Sequence, residues 1–272
     1  MAEKNERVIL TGAGRGMGKA IALELAGAGH KLVLASRTEQ QITEVAAEIT
    51  SSGGTAVAVP TDVADQASVE ALIQRAIEEY GGVDAIVNNA GRFNTIGPTW
   101  EVDPENFWKD ITVNLRGPFL MCRTVIPRMI EQGHGTIINM IGGGSGGAIP
   151  NGNGYGTSKA GLTRFTETLS VELKEHGISV FATNPGLVRT EMTELQLYSE
   201  AGKKWMKGIE KAFRDGVDRP PTDAARLIRR LLADDYFVFT GRMFGPDDNP
   251  EEIKPDADRI LEEDLRMLRF RM

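Results

Sequence analysis

The chain has 272 residues, of which 41% are hydrophobic and 25% charged, so its composition is that of a globular protein with a sizeable core. Its formal net charge of −7 argues against non-specific binding of nucleic acid, which needs a surplus of cations. No secretory signal and no apolar run of bilayer-spanning length is seen, and Cys122 is the only cysteine, so we expect a cytoplasmic protein without membrane contact.

Six short apolar segments, many of them β-branched, predict strands that are buried on both faces. These segments are residues 8–11, 32–35, 55–59, 83–88, 136–141 and 178–183. Helical periodicity lies between them, as in Ile42, Val45 and Ile49. The alternation predicts right-handed β-α-β crossovers and an α/β, Rossmann-type fold, in which helices flank one doubly wound parallel sheet. We expect a single domain over residues 1–272.

The pattern changes after Pro185. Residues 187–216 carry no strand pattern and predict a helical flap that covers the substrate. A helix is expected from Pro221 onward, followed by a last strand at 237–240 and a charged terminal helix at 256–268. The charged C-terminal extension, residues 247–272, is either a solvated face or a segment that docks on a neighbouring subunit.

The first predicted strand leads into a glycine-rich turn, residues 11–18 (TGAGRGMG), and then into a helix. Glycines at such a turn let the backbone approach a pyrophosphate closely, and the positive end of the helix faces that anion. The spacing is G-x-x-x-G-x-G, not the G-x-G-x-x-G of the general dinucleotide motif, and an ordinary tight turn is the alternative. Its position after the first strand favours a dinucleotide site. The candidate residues are Gly12, Arg15, Gly16, Met17 and Gly18.

The end of the second predicted strand decides which nicotinamide dinucleotide is bound. An acidic residue there would accept a hydrogen bond from the ribose 2′-hydroxyl and select NAD. The chain has Ser36 and Arg37 instead, and the first acidic residue after the strand is Glu39. The guanidinium fork of Arg37 suits a 2′-phosphate, and Arg15 could reach the same group. We expect NADP(H), with two solvated surface arginines as the alternative.

Tyr155 and Lys159 open a long predicted helix, and their spacing of four places them on one face of it. A free phenol, with a pKa near 10, is a poor base at neutral pH. A nearby ammonium and an oxidised nicotinamide would both stabilise the phenolate and lower this pKa. Tyr155 could then exchange a proton with a substrate oxygen. Because the spacing is common by chance, a surface pair is the alternative.

Further motifs follow later strands in a fixed order. They are Asp62-Val63, Asn88-Asn89-Ala90-Gly91, Asn114, and Pro185-Gly186 followed by Val188 and Thr190. Together with the glycine turn and the Tyr155–Lys159 pair, they resemble the short-chain dehydrogenase/reductase family in its short single-domain subtype. The resemblance is close over residues 7–190 and looser beyond. It implies an oxidoreductase that is a homodimer or a homotetramer.

The resemblance also implies roles for individual residues. Cofactor contacts would be Asp62 and Val63 at the adenine, Asn89, Ala90 and Gly91 along the ribose and phosphates, and Pro185, Gly186, Val188 and Thr190 beside the nicotinamide. Lys159 would bind the nicotinamide ribose and tune Tyr155. Asn114 would hold a water that links Lys159 to solvent as a proton relay, with a capping or helix-kink asparagine as the alternative.

The chain departs from the family at one position of the site. The family carries a serine about thirteen residues before the tyrosine, where it hydrogen-bonds the substrate oxygen, and this chain has Gly142 there. Three alternatives remain open. Ser145 could present its hydroxyl, the backbone N–H groups of Gly143 or Gly144 could donate, or this hydrogen bond is absent.

We therefore expect an NADP(H)-dependent carbonyl reductase or alcohol dehydrogenase, which moves a hydride between the nicotinamide and a carbonyl or alcohol carbon of a moderately apolar small molecule. The catalytic candidates are Tyr155, Lys159, Asn114 and Ser145. No metal site is expected, because His30, His134 and His176 show no ligand spacing. The alternative is a dinucleotide-binding regulatory protein that has weak or no catalysis because Gly142 replaces the serine.

Overall fold

The structure, a computed structural model, describes residues 5–233 and 236–269. The strands in these ranges are β1 (Arg7–Thr11), β2 (Lys31–Ser36), β3 (Thr55–Pro60), β4 (Ala85–Asn88), β5 (Gly135–Met140), β6 (Ile178–Thr183) and β7 (Met243–Phe244). They form one parallel sheet in the order β3-β2-β1-β4-β5-β6-β7. The predicted doubly wound parallel sheet in a single domain is confirmed, and each of the six early strand predictions matches to within two residues.

Helices connect the strands. They are α1 (Gly16–Gly27), α2 (Glu39–Ser51), α3 (Gln66–Tyr80), α4 (Pro104–Ile111), α5 (Gly117–Gln132), α6 (Asn153–Leu173), α7 (Glu191–Tyr198), α8 (Glu200–Trp205), α9 (Lys207–Arg214), α10 (Pro221–Ala233), α11 (Pro250–Ile253) and α12 (Ala257–Glu262). A π-helical turn, Thr112–Arg116, joins α4 to α5. Within the described part of the chain, no helix is both long and apolar enough to cross a bilayer.

The core lies on both faces of the sheet because successive side chains of a strand point to opposite faces. In β1, Val8 and Leu10 pack in a cluster with α1, α2 and α10, whereas Ile9 belongs to the cluster with α3, α5 and α6. All three side chains are at most 1% exposed. Strands covered on both faces explain the uniformly apolar segments of the sequence.

The order in which strands are added to the sheet reverses between β1 and β4. From β1 the sheet grows to β2 and β3 on one side, and it then returns to β4 on the other. In open α/β sheets, ligands bind at the carboxyl ends of the strands beside such a switch point. The loops after β1 and β4 are therefore where a bound cofactor is expected.

The predicted strand at residues 237–240 is wrong. Residues Phe237–Phe239 form a 3₁₀ turn, and the last strand is Met243–Phe244. A short apolar run does not distinguish a strand from a buried turn. Here the Phe239 ring is fully buried with its edge toward Phe244, and Gly241, with a φ of 84°, turns the chain into β7.

The predicted terminal helix at residues 256–268 is only partly correct, since α12 ends at Glu262. Asp264 and Arg266 have positive φ values, which end the helix. The Arg266 carbonyl accepts a hydrogen bond from Met243, so the chain end adds to the edge of β7.

Side chains of the C-terminal extension bind the chain's own domain. Arg269 pairs with Glu167 of α6 at 2.8 Å, whereas Arg266 pairs at 2.6 Å with Asp248 inside the extension itself. These contacts attach the described part of the extension to its own domain, and both a solvated face and docking on a neighbouring subunit stay predictions. Residues 270–272 lie outside the described residues.

Candidate active site

The candidate residues gather at the carboxyl edge of the sheet, beside a cleft of about 610 Å³. The cleft follows the loops after β1, β2, β3 and β4. The candidates that line it are Gly12, Arg15, Gly16, Met17, Gly18, Ser36, Arg37, Asp62, Val63, Asn89, Ala90, Gly91 and Thr190. Asn114, Ser145, Tyr155, Lys159, Pro185, Gly186 and Val188 are not part of this lining.

The glycine turn has the backbone that close approach requires. Gly12 and Gly16 have φ values of 65° and 51°, which favour glycine, and a Cβ on Gly18 would lie 1.9 Å from the carbonyl oxygen of Gly12. Arg15, at the N-cap of α1, makes no capping hydrogen bond, and the first turn of α1 holds no acidic residue. An anion therefore fits this helix terminus, whose N–H groups need a partner.

Thr11, which the motif analysis did not single out as a site residue, ties the two central loops together. Its hydroxyl oxygen accepts hydrogen bonds from the N–H groups of Asn89 and Ala90, both at 3.0 Å. The Asn89 amide donates in return to the carbonyl oxygens of Thr11 and Gly12. These bonds hold the loop after β4 against the glycine turn and shape the floor of the cleft.

The loops after β2 and β3 close the far end of the cleft. Arg37 is exposed and makes no ion pair with any residue in the described ranges, so its fork of donors is available. Arg15, by contrast, forms an ion pair with Glu191 at the start of α7. Asp62 is held by its own loop, where its carboxylate accepts from Ala64 N–H at 2.9 Å.

Tyr155 and Lys159 lie on the first turns of α6, next to the end of β5. The Lys159 ammonium donates to the Met140 carbonyl oxygen at 2.7 Å and stands 5.6 Å from the centroid of the Tyr155 ring. Burial raises the pKa of Tyr155 to about 12 and lowers the pKa of Lys159 to about 8. The protein alone therefore raises the pKa of Tyr155 through burial, and the expected lowering, which also requires the oxidised nicotinamide, stays a prediction.

Asn114 lies in the π-helical turn and is fully buried. Its amide donates to Ser158 Oγ at 3.0 Å and to the Arg92 carbonyl oxygen at 2.7 Å, and its oxygen accepts from Arg92 N–H. Ser158 donates to the Tyr155 carbonyl oxygen at 2.6 Å. Asn114 thus connects the loop after β4 to the helix that carries Tyr155. π-Helical turns are frequent at functional sites.

Among the described residues, Ser145 makes its hydrogen bonds to Gly142 and none to Tyr155. The Ser145 hydroxyl donates to the Gly142 carbonyl oxygen at 2.7 Å and accepts from Gly142 N–H at 3.1 Å. Its one proton is thus engaged within the loop. The loop that holds Ser145 packs closely against α6, since a Cβ added to Gly144 would lie 2.4 Å from Gly156 Cα.

The loop after β6 reaches the cleft through Thr190. Gly186 turns it with a φ of 74°, and Val188 forms an isolated parallel bridge with Arg219. Thr190 is the N-cap residue of α7, and its backbone N–H donates to Thr193 Oγ1 at 2.8 Å. The Thr190 methyl group would lie 3.4 Å from a Cβ added to Gly16. Pro185 lies in the same loop.

Several cleft residues were not predicted from the sequence. They are Gly14, Gln41, Thr61, Phe93, Asn94 and Val113. Phe93 is notable because its ring stacks on Tyr155, with centroids 4.4 Å apart. It follows the Asn-Asn-Ala-Gly motif directly, but no local pattern indicates a partner 62 residues away. In the described ranges, no group of three His, Cys, Asp or Glu side chains could hold a metal.

Comparisons with known proteins agree with this geometry. The family model described as short chain dehydrogenase matches residues 6–200. Levodione reductase of Leifsonia aquatica is 32% identical over 233 residues, which are 84% of this chain and 87% of that protein.

Two solved structures are also similar. Gluconate 5-dehydrogenase of Burkholderia cenocepacia J2315, in complex with NADP and tartrate, has a TM-score of 0.80 and 27% identity, covering 89% of this chain and 93% of that one. A variant of actinorhodin polyketide ketoreductase with NADPH has a TM-score of 0.79 and 29% identity, covering 90% and 97%.

Proposed function

Because this chain belongs to the short-chain dehydrogenase family and is an oxidoreductase, we propose that it reduces the carbonyl group of a moderately apolar small molecule with NADPH. The pair of Tyr155 and Lys159 on α6 carries this proposal, since the phenol is protonated at neutral pH and burial raises its pKa further, to about 12. A protonated phenol can deliver the proton that a carbonyl oxygen needs as its carbon is reduced. The test is NADPH consumption with a panel of ketones, of which at least one should turn over.

The residues of the cleft fit a nicotinamide dinucleotide phosphate. The glycine turn and the uncapped start of α1 suit the pyrophosphate, and Ser36 and Arg37 suit a 2′-phosphate. Asp62 and Val63 would contact the adenine, Asn89 to Gly91 the riboses, and the loop from Pro185 to Thr190 the nicotinamide. When bound, this cofactor supplies the hydride. Two similar structures contain NADP or NADPH, which supports the phosphorylated form.

The ion pair of Arg15 and Glu191 gives a first testable prediction. Arg15 can reach a 2′-phosphate only after it leaves Glu191. Glu191→Gln should therefore lower the Kd for NADPH by about two- to fivefold, which corresponds to the interaction free energy of an exposed ion pair. The Kd for NADH should be unchanged. Fluorescence titration with both cofactors measures this. Equal changes for the two cofactors would place Arg15 away from the 2′-phosphate.

In the proposed reaction, Tyr155 gives its proton to the substrate oxygen. The Lys159 ammonium stabilises the phenolate that remains, and its free N–H groups can donate toward the nicotinamide ribose. Asn114 would hold the water through which the proton is replaced. The barrier is lowered mainly by the position of the phenol and the charge beside it.

The pH dependence of the reduction provides a second prediction. Lys159 is charged below its pKa of about 8 and neutral above it. The phenolate loses its stabilising charge as the pH rises, so kcat for ketone reduction should be flat at neutral pH and fall by up to tenfold per unit above about pH 8. Steady-state rates with saturating NADPH between pH 6 and 10 measure this. A profile that stays flat to the upper end would exclude Lys159 as the titrating group.

The substrate class is inferred from the lining of the cleft. Phe93, Met192 and Leu195 contribute apolar surface, the last two from α7. The flap helices α7–α9 would cover the bound molecule. Arg92, which could have favoured an anionic group, is already engaged by Asp110 and Asn106. A moderately apolar ketone therefore fits better than a highly charged one.

We propose a cytoplasmic homodimer or homotetramer as the working form. Apolar side chains are exposed on two adjacent elements of the sheet's outer layer, Phe119 on α5 and Val171 on α6. Contiguous exposed apolar surface is typical of subunit contacts, and in the proposed assembly these two side chains would contribute to one. Light scattering of the purified protein tests the assembly state.

The regulatory alternative is not favoured. It depends on glycine standing at position 142 in place of the family's serine. Loss of one positioned donor reduces a rate by about 10²–10³-fold without abolishing it. The matched relatives named above are a reductase, a dehydrogenase and a ketoreductase. Tight NADPH binding without turnover of any ketone would restore this alternative.

A further inference from the structure

The space in which the family carries a serine side chain is filled here by the end of Tyr155. A Cβ atom added to Gly142 would lie 2.4 Å from the Tyr155 hydroxyl oxygen, far inside van der Waals contact. Gly142 does not have a positive φ, so its backbone would accept alanine or serine. Space, and not backbone conformation, therefore requires the glycine.

Phe93 stacks on the ring of the same phenol. The two rings are parallel to within 4°, with centroids 4.4 Å apart, and Phe93 is only 2% exposed. A second glycine makes room for this ring, because a Cβ on Gly152 would lie 2.5 Å from Phe93 Cζ. Gly152 also has an ordinary φ of −130°. Gly142 thus leaves room for the end of the phenol, and Gly152 leaves room for the ring stacked on it.

The backbone on both sides of Phe93 is fixed. Arg92 exchanges two hydrogen bonds of 2.7 Å with the buried amide of Asn114. Thr95 N–H donates at 2.8 Å to the carboxylate of Asp110, which is fully buried and also pairs with the Arg92 guanidinium. Phe93 therefore cannot easily yield if the phenol is pushed toward it.

We propose that Phe93 is a positioning residue that holds the phenol of Tyr155 in the space left by Gly142. The phenol thereby stands where the missing serine would hold the substrate oxygen, and one hydroxyl both binds that oxygen and protonates it. This assignment rests on the proposed function, in which Tyr155 is the proton donor. It explains why the chain can do without Ser145, whose hydroxyl is bound within its own loop.

A double-mutant cycle tests whether side chains at 142 and 93 compete through the phenol. Gly142→Ala adds only the Cβ, and Gly142→Ser adds the group that the family carries. Each should lower kcat by about 10²-fold when Phe93 is present, because the phenol must move by about an ångström. In the Phe93→Ala variant the phenol has room to turn, and the same substitutions should change kcat by less than about threefold.

Thermal unfolding provides a readout that does not depend on activity. Gly142→Ala should lower Tm by about 4 °C when Phe93 is present, as expected for overpacking, and by less than half of that in the Phe93→Ala variant. Phe181→Leu is the matched control, since it removes a ring that is 1% exposed in β6 and packs against Phe244. It should lower Tm without altering the effect of Gly142→Ala.

The proposal is overturned if Gly142→Ser raises kcat in otherwise unchanged protein. It is also overturned if the substitutions at 142 cost the same kcat and Tm with and without Phe93. If no variant consumes NADPH, the proposed function fails, but the Tm cycle still decides whether Phe93 fixes the phenol against residue 142.

Discussion

Replacing Tyr155 with phenylalanine is expected to lower kcat for ketone reduction by about 10²–10⁴-fold, the usual contribution of a positioned general acid. The substitution removes one hydroxyl and leaves the ring that stacks on Phe93, so the local packing should persist. The Kd for NADPH should change little, because Tyr155 does not line the cleft that holds the glycine turn. Steady-state rates and fluorescence titration measure the two effects separately.

Tyr80 offers a matched control for this substitution. Burial also raises the pKa of Tyr80 to about 12, and its hydroxyl donates to the Leu32 carbonyl oxygen at 3.3 Å, far from the cleft. Tyr80→Phe should therefore leave kcat unchanged. If Tyr155→Phe retains more than about a tenth of the wild-type kcat, Tyr155 is not the proton donor.

Replacing Arg37 with alanine is expected to raise the Kd for NADPH by about 10- to 100-fold, because charge-assisted hydrogen bonds to the 2′-phosphate are lost. The Kd for NADH, which lacks this phosphate, should be unchanged. The reason is that Arg37 lies at the carboxyl end of β2 with no ion pair to any residue the structure describes, so its donors are free for a ligand.

Arg75→Ala is the control for net charge. Arg75 is an exposed residue of α3 that pairs with Glu79, and it does not line the cleft. Its replacement by alanine changes the net charge by the same amount as Arg37→Ala and should leave the Kd for NADPH and for NADH unchanged. Equal losses of NADPH and NADH affinity in Arg37→Ala would contradict a role in cofactor choice.

Local sequence was sufficient to predict the sheet and the glycine turn that lines the cleft. The apolar segments are strands because both faces of the sheet are covered, and the glycine turn is recognisable because close approach at Gly18 leaves no room for a side chain. The spacing of Tyr155 and Lys159 defines their common face on any helix. Such features depend on a few neighbouring residues.

Other features depend on distant residues and could not be read from the sequence. The stack of Phe93 on Tyr155 joins two loops that meet only in the fold. The high pKa of Tyr155 results from burial, which no motif reports. The last strand lies later than expected because Phe237–Phe239 form a 3₁₀ turn whose Phe239 ring is buried against Phe244, a tertiary contact.

The transfer of label from NADPH deuterated at C4 to a ketone substrate tests the central claim most directly. The account predicts that the product alcohol carries deuterium at the former carbonyl carbon in the wild-type protein, and that Tyr155→Phe forms almost none of it while still binding NADPH. Tight NADPH binding with no labelled alcohol from any ketone of a diverse panel would contradict the account.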